Sequence, residues 1–433
     1  MVYPSQIIMD IKKNTSQNVR SIRGMNDVLA PEIFSWRMAE KIIRENFEKF
    51  GFSEIKTPII ENTALFARNL GDTTDIVKKE MYTFLDRNEE SLTLRPEGTA
   101  PVVRALVEHN LLSQDPIQKL YYWGPMFRYE RPQKGRYRQF YQYGVEVFGV
   151  AAPQMDAELI AMLVDLYEKF KLKGLTVKLG SMGCDQCRPK YRETLIKLLK
   201  PSVHILCNDC KDRLEKNPLR VFDCKNPTCK EVASVLPSML DFLDESCKEH
   251  FDAVRDHLVK LKTHFVVDKT LVRGFDYYNR TVFEITTEDL GAQNAIGGGG
   301  RYDKLVQELG GPPCPAIGYA GGVERLILLL GEREEWKPKL KLFVVVPDQR
   351  GMDKAFGLAF ELRKNGITCD IDYTGKSMKS QMKRADKLTS EYVLILGGSE
   401  IDQGAAVLRN MATKAQELIE LSSIESELLR RLK

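Results

Sequence analysis

Phe127-Arg128-Tyr129-Glu130-Arg131-Pro132-Gln133-Lys134-Gly135-Arg136-Tyr137-Arg138-Gln139-Phe140 is the stretch whose reading decides the fold. A strand-like run, 119–129, leads into it, and another, 139–148, leads out. Pro132 and Gly135 break the pattern between them, which predicts an antiparallel hairpin with a long tip. Arg128, Arg131, Lys134, Arg136 and Arg138 sit in or beside that one turn. A run of charge is ordinarily a solvated face. Here tyrosine, proline and glycine interleave with the charge, a strand pair presents it rigidly, and guanidinium forks match backbone phosphates.

Side chains alternate along a strand, so Gln142, Gly144 and Glu146 share one face of the outgoing run. Four residues at ~3.3 Å each separate the two polar groups by about 13 Å, and Gly144 leaves space between them. Burying Glu146 beside tyrosines is costly unless it is paired. The competing reading is a solvent-facing strand edge.

Upstream of the hairpin, the first 18 or so residues are polar and are expected to be mobile. Pro31 then opens a helix in which Trp36, Ala39, Ile43, Phe47 and Phe50 form one apolar stripe. Gly51 stops it. GFSEIKTPIIE reads as a strand, with Pro58 at an edge or interface position. Leu92 to Leu94 reads as a short strand, and Thr99 and Pro101 start a helix to about Leu112.

Downstream, the pattern gives a helix from Asp156 to Lys171 and a strand from Thr176 to Leu179. From about Ser181 cysteines cluster among short helical segments, which predicts a helical insertion over 181–255. Strand signals resume at Val266, Val282 to Thr286 and Ala316 to Ala320, and a helix over Val323 to Leu330 ends this block. The charged linker 331–339 leads to FVVVP, a helix to Asn365, TCDID, a second helix, YVLILGG, and a further strand and helix. This is a compact α/β unit over 340–433.

The chain has 433 residues, enough for two or three domains, and its 43 % apolar content supports a sizeable core. Lys and Arg number 64 against 60 Asp and Glu, so a formal charge of +4 is too mild to identify a nucleic-acid partner by itself. No N-terminal stretch has signal-peptide character, and no run approaches the ~20 apolar residues of a membrane helix. The expectation is a soluble, cytoplasmic protein with no membrane partner.

Four further segments carry chemistry-bearing residues. In Leu94-Arg95-Pro96-Glu97-Gly98-Thr99, Glu97 precedes a helix, where it could simply neutralise the dipole. Val272-Arg273-Gly274-Phe275-Asp276-Tyr277-Tyr278 joins a cation to two aromatic hydroxyls. Gly297-Gly298-Gly299-Gly300-Arg301-Tyr302-Asp303 would let backbone approach a ligand, or be a flexible loop; it lacks both the phosphate-loop lysine and the dinucleotide fingerprint. Gly321-Gly322-Val323-Glu324-Arg325 opens an apolar helix with a cation in its first turn. That placement is unfavourable for the dipole and suggests an anionic ligand, a surface salt bridge being the alternative.

Together these segments resemble the class II aminoacyl-tRNA synthetases, and specifically the histidyl-tRNA synthetase family. The helix and strand ending at Pro58 are similar to the class's first motif, FRYERPQKGRYRQF to the second and GGVERLILLL to the third. TLRPEGT and VRGFDYYNRTVFE resemble the two histidine-specific segments. The resemblance runs from about Val19 to the C-terminus. It implies an α+β fold: a class II antiparallel sheet flanked by helices, a catalytic core over 1–180 and 256–335, the helical insertion, and a C-terminal anticodon-binding domain. It implies histidine activation by ATP with Mg²⁺, transfer to tRNA(His), and a homodimer. By the same resemblance Arg128 and Arg325 would grip the ATP phosphates, with Glu130 also on the ATP side. Glu97, Thr99 and Gln142 would hold the histidine α-amino group, and Glu146 and Tyr278 the imidazole. Tyr277 would help form the pocket. Arg273 would contact the substrate carboxylate and the α-phosphate, with Arg273 and Arg128 as the catalytic pair. Gln133 and Arg138 would lie near the tRNA acceptor end.

The residue types suit that reaction. The histidine carboxylate can itself attack the α-phosphorus, so no protein nucleophile is needed, and none of the five histidines falls in these motifs. Positive charge is needed where negative charge builds, and a preorganised donor supplies ~3 kcal/mol. A site that hydrogen-bonds its substrate rejects analogues by about 10⁴–10⁵. Three other readings fit these residues less well. A catalytically silent regulatory relative would lack the C-terminal unit, a plain RNA-binding protein leaves the histidine-selective residues unexplained, and VRGFDYY argues against another amino acid.

Of nine cysteines, six form the pairs Cys184/Cys187, Cys207/Cys210 and Cys224/Cys229. The spacing of the first two suits a structural zinc site. Four of the six would bind one zinc, and antiparallel helices could instead join Cys184 and Cys187 to Cys224 and Cys229. Reduced thiols are the alternative.

Overall fold

The computed structural model describes residues 19–69, 74, 76–290 and 294–432. The expectation about the polar first 18 residues lies outside them. The chain divides into two compact units, 1–333 and 334–433.

In the first unit the strands are β1 (Ser53–Glu54), β2 (Ile60–Asn62), β3 (Tyr82–Leu85), β4 (Ser91–Leu94), β5 (Gln118–Phe127), β6 (Gln139–Phe148), β7 (Leu175–Ser181), β8 (Phe265–Val267), β9 (Asn279–Thr287), β10 (Ala295–Arg301) and β11 (Ala316–Gly322). The helices used below are α1 (Glu32–Lys49), α2 (Thr99–Glu108), α3 (Pro153–Lys169), α4 (Cys187–Leu199), α5 (Asn208–Lys216), α6 (Pro227–Ser234), α7 (Glu245–Lys260) and α8 (Val323–Leu330). Eight strands form one sheet in the order β1-β5-β6-β11-β10-β9-β7-β8. Its two outermost pairs are parallel and every inner pair is antiparallel. The α+β expectation is met.

The stripe of α1 is buried at Trp36, Ala39, Ile43 and Phe47. GFSEIKTPIIE is not one strand. It splits into β1, in the large sheet, and β2, which pairs β4 in a small three-stranded sheet. Pro58 falls in the break, where its carbonyl accepts from Arg95 Nη1 (3.4 Å). The helix expected to run to Leu112 ends at Glu108, because Asn110 takes left-handed backbone (φ 49°).

The hairpin forms as expected, with Gln118 opposite Phe148 and Phe127 opposite Gln139. Its tip closes as a tight turn in which Gln133 and Arg136 exchange backbone hydrogen bonds (3.0 and 2.9 Å). Gly135 supplies the positive φ (75°) that the turn requires. β6 is paired on both sides, so Glu146 is not on a solvent-facing edge.

The glycine tetrad is strand β10, not a loop. A strand this poor in side chains persists because its neighbours need the room: a β-carbon at Gly297 would strike the Tyr319 hydroxyl, and one at Gly298 the Arg273 guanidinium. Gly144 likewise leaves a gap, and the Tyr122 ring fills it.

The insertion is helical, but its apolar side chains do not form a separate core. Tyr191, Leu195, Cys210 and Cys247 join the same buried cluster as Tyr277, Tyr278 and Val102. A buried ionic triad adds to this: Asp156 of α3 accepts from Arg301 Nη2 (2.5 Å) and lies 2.9 Å from His250 Nε2 on α7. Both Asp156 and Arg301 are essentially inaccessible.

The second unit is a five-stranded sheet: β12 (Leu342–Val345), β13 (Cys369–Ile371), β14 (Tyr392–Ile395), β15 (Ala405–Asn410) and β16 (Gln416–Glu420), in the order β13-β12-β14-β15-β16. Alternate β12 residues feed two cores, Leu342 and Val344 one, Phe343 and Val345 the other. That pattern is expected of a sheet covered on both faces. The sequence pattern gave one strand after YVLILGG, and the structure has two.

Candidate active site

Glu97 lies just ahead of α2 and accepts from the backbone N–H groups of Thr99 (2.7 Å) and Ala100 (2.8 Å). It therefore does cap the helix, as the plainer reading of the sequence had it. It is also buried against a cavity. Burial pushes its pKa up, and the two N–H donors offset this only in part. Thr99 turns its hydroxyl to Glu146 Oε1 (2.7 Å). Tyr302 donates to the other Glu146 oxygen. Glu146 is fully buried, and desolvation raises its pKa to about 8 despite those two donors.

The cavity measures about 280 Å³. Glu97, Thr99, Arg128, Glu130, Gln142, Arg273, Tyr277, Tyr278 and Arg325 all line it. Nine residues drawn from five separate segments therefore meet in one place. Three others do not reach the wall. Glu146 lies behind it, covered by Thr99 and Tyr302, and a β-carbon at Gly318 would collide with its carboxylate. Gln133 is exposed at the hairpin tip. Arg138 stacks on Tyr129, with its guanidinium carbon 3.9 Å from the ring centre.

Cations gather on part of the lining. Arg128 lies over Phe140 (5.3 Å) and Phe275 (6.0 Å), while its Nε donates to Pro96 O (2.8 Å). Arg325 donates to Ala295 O (2.6 Å). Burial, and next the charge of Arg136, hold the Arg325 guanidinium below its usual range. Arg273 reaches Glu284 Oε1 (3.3 Å) and lies 5.7 Å from the centre of the Tyr278 ring. Buried Gln142 Oε1, Arg273 Nε and Tyr277 OH have no hydrogen-bond partner. Buried polar atoms left unmatched at a cavity wall call for a polar ligand. No histidine lines the cavity among the described residues.

Sequence reasoning assigned no role to Arg136, Glu284, Tyr302, Phe140 or Phe275, which also line the cavity. All five fell inside quoted motifs. Glu284 carried a findable signal, as the acidic residue inside the apolar Val282–Ile285 run of its strand.

The six cysteines do not converge on one site. Cys207, Cys210, Cys224 and Cys229 form one set, and Cys184 and Cys187 meet Asp244 and Cys247 in another. Four of the six do gather, as the second and third pairs, whereas the partnership of the first two pairs and the alternative joining Cys184 and Cys187 to Cys224 and Cys229 do not form. Helix packing in the insertion sets the partners, and spacing alone does not encode it. Cys247 and Asp244 were missed because they lie beyond the recognisable pairs.

Among the described residues no helix is long and apolar enough to cross a membrane. A family model described as histidyl-tRNA synthetase matches residues 24–188 and 224–326, and one described as an anticodon binding domain matches 341–431. The chain is 48 % identical to a histidine–tRNA ligase of Syntrophotalea carbinolica over 96 % of its length and 99 % of that protein. It is 49 % identical to one from Geobacter sulfurreducens, over 94 % of the chain and 98 % of the relative. Among solved structures, apo histidyl-tRNA synthetase of S. aureus superposes with a TM-score of 0.80 at 37 % identity, covering 95 % of this chain and all of that one.

Proposed function

This chain belongs to the histidyl-tRNA synthetase family and is an aminoacyl-tRNA ligase that joins histidine to tRNA, and from that premise we propose how its residues divide the work. The observation that carries the proposal is the lining itself: buried carboxyl and phenol groups and a set of arginines share one small cavity. A zwitterionic amino acid and a polyphosphate need those two kinds of surface.

Glu97, Thr99 and Gln142 hold the histidine α-ammonium, for which the unpartnered Gln142 Oε1 is a ready acceptor. Tyr278, backed by Glu146, reads the imidazole, and Tyr277 closes the pocket. Glu146 acts from behind the wall, either through Thr99 and Tyr302 or after those side chains part around the ligand. Arg128 and Arg325 grip ATP phosphates, with Glu130 on the ATP side and Arg136 added to the set. Polyphosphate relieves the mutual repulsion of these cations. The histidine carboxylate attacks the α-phosphorus, the bond to pyrophosphate breaks, and Arg273 and Arg128 stabilise the charge that builds. The terminal ribose hydroxyl of tRNA then attacks the activated carbonyl and AMP departs. Gln133 and Arg138 sit on the hairpin, where an acceptor end can pass.

The family uses ATP with Mg²⁺. A hard cation takes oxygen ligands, and the carboxylates of Glu130 and Glu284, each paired through one oxygen to an arginine (Arg136 at 3.0 Å, Arg273 at 3.3 Å), line the cavity and would hold it through the other. Bound there it supplies charge neutralisation to the phosphates. Glu324 suits this less, since both its oxygens accept from the Tyr141 N–H (2.9 and 3.1 Å). We further propose a catalytic core over 1–180 and 256–335, an insertion over 181–255, an anticodon-binding domain over 340–433 that contacts tRNA(His), a homodimer, and a cytoplasmic location. A structural zinc fits Cys207, Cys210, Cys224 and Cys229, where Cys207 Sγ and Cys224 Sγ are 3.7 Å apart.

Histidine-dependent exchange of labelled pyrophosphate into ATP tests the assignment. Exchange with histidine alone, abolished by Glu146→Ala and by Arg273→Ala, is the expected result. Folded variants that retain exchange would remove those residues from the mechanism.

A further inference from the structure

We propose that Cys184, Cys187, Cys247 and Asp244 form a second zinc site, separate from the first, whose metal fixes the loop that holds Tyr278 in the histidine pocket. The four ligand atoms lie within 4.8 Å of one another. Cys184 Sγ is 3.5 Å from Cys187 Sγ and 2.9 Å from Asp244 Oδ2. A tetrahedron with zinc–sulfur bonds of ~2.3 Å has sulfur–sulfur edges of ~3.8 Å, so the set needs little adjustment to close on an ion.

Two details favour a metal over idle thiols. Backbone N–H groups point at the sulfurs, Gln186 N–H at Cys184 (3.4 Å) and Asp244 N–H at Cys187 (3.2 Å). Such donors stabilise metal-bound thiolates and orient them. Asp244 also divides its oxygens: Oδ1 caps α7 by accepting from Cys247 N–H (2.8 Å), which leaves Oδ2 facing the sulfurs.

The link to the pocket runs through the residue after Cys187. Arg188 donates from Nε to Met182 O (3.1 Å) and from its guanidinium to the Tyr278 carbonyl. Two backbone bonds fix the same loop to the strand beyond Tyr278: Arg280 N–H to Gly183 O (2.8 Å) and Met182 N–H to Arg280 O (2.7 Å). Arg188 is a positioning residue, and the metal holds the helix start that carries it.

The test is elemental analysis of the full chain, purified without chelator, alongside Asp244→Asn. Asparagine still caps the helix, so the variant keeps its fold while losing an anionic ligand. The expected result is two zinc ions per wild-type chain and one in Asp244→Asn. Cys207→Ser, in the other set, also keeps one, and the double variant keeps none. Histidine KM rises about tenfold in Asp244→Asn with ATP KM little changed. Equal zinc content in the wild type and Asp244→Asn, or a Cys184–Cys187 disulfide in the purified chain, overturns the site; a single zinc that Asp244→Asn loses and Cys207→Ser keeps removes only the other site. Loss of one zinc with histidine KM unaltered overturns the coupling to Tyr278.

Discussion

At Gly298 a β-carbon would lie 2.5 Å from Arg273 Nη1. The guanidinium is the mobile end of a long side chain, so Gly298→Ala should displace it without unfolding β10. The expected outcome is a melting temperature close to wild type with histidine activation lowered roughly a hundredfold, the scale of one lost preorganised donor. Glu146 gives a second test at this scale. Its pKa is raised from 4.5 to about 8, so the folded chain keeps a proton that the unfolded chain releases. That contribution to stability is complete below about pH 4.5 and is lost as pH rises through about 8. Glu146→Gln should therefore flatten the fall of melting temperature over that window and raise it by a few degrees at its alkaline end. Exchange activity should drop roughly a hundredfold, as for a lost hydrogen bond to a charged group. Thermal melts across pH without ligand check the first half, and a variant as pH-sensitive as wild type would refute it.

Between elements, the clearest joint is Asp156 of α3 with Arg301 of β10 and His250 of α7. Burial alone would raise the Asp156 pKa, but His250 and Arg301 more than offset it and hold it below the usual range. Asp156→Ala strips the buried Arg301 guanidinium of its nearer carboxylate and leaves it only Asp303 (3.3 Å), for a cost of about 3 kcal/mol by denaturant melts. Asp156→Asn should cost less, because it keeps an acceptor. Elements built on periodicity were legible from sequence: the α1 stripe and β6 fall where the pattern put them. Those that depend on distant neighbours were not. β10 lacks side chains to announce it, and its reason for being a strand lies in Tyr319 and Arg273. The missing strand in the C-terminal unit belongs to the meander β15-β16, where Gln416–Glu420 is mostly exposed and carries little apolar signal. For the site, residue types and the segments that supply them were readable. The depth of Glu146 was not, because only the packed Tyr302 and Thr99 reveal it.

The whole chain has two compact units, each with its own core. Calorimetry should resolve two transitions, since separate cores break two-state behaviour. Histidine with a non-hydrolysable ATP analogue should raise only the transition of residues 1–333, which contain every cavity-lining residue. A single transition, or an equal shift of both, would show that the units unfold together. The strand order has a further consequence, for synthesis. β6 pairs with β11, so Phe148 waits for Ala316, about 170 residues later. At the ~5–20 residues per second of a ribosome, that interval is on the order of 10–30 s. Throughout it, the β6 edge of the aromatic hairpin has no partner strand and is free to pair with another nascent chain. Chains stalled before Ala316 emerges should be cut by protease within 118–148, and chains stalled well past it should resist. This enzyme should then be most dependent on chaperones midway through its own translation, and least once its last hundred residues are being added.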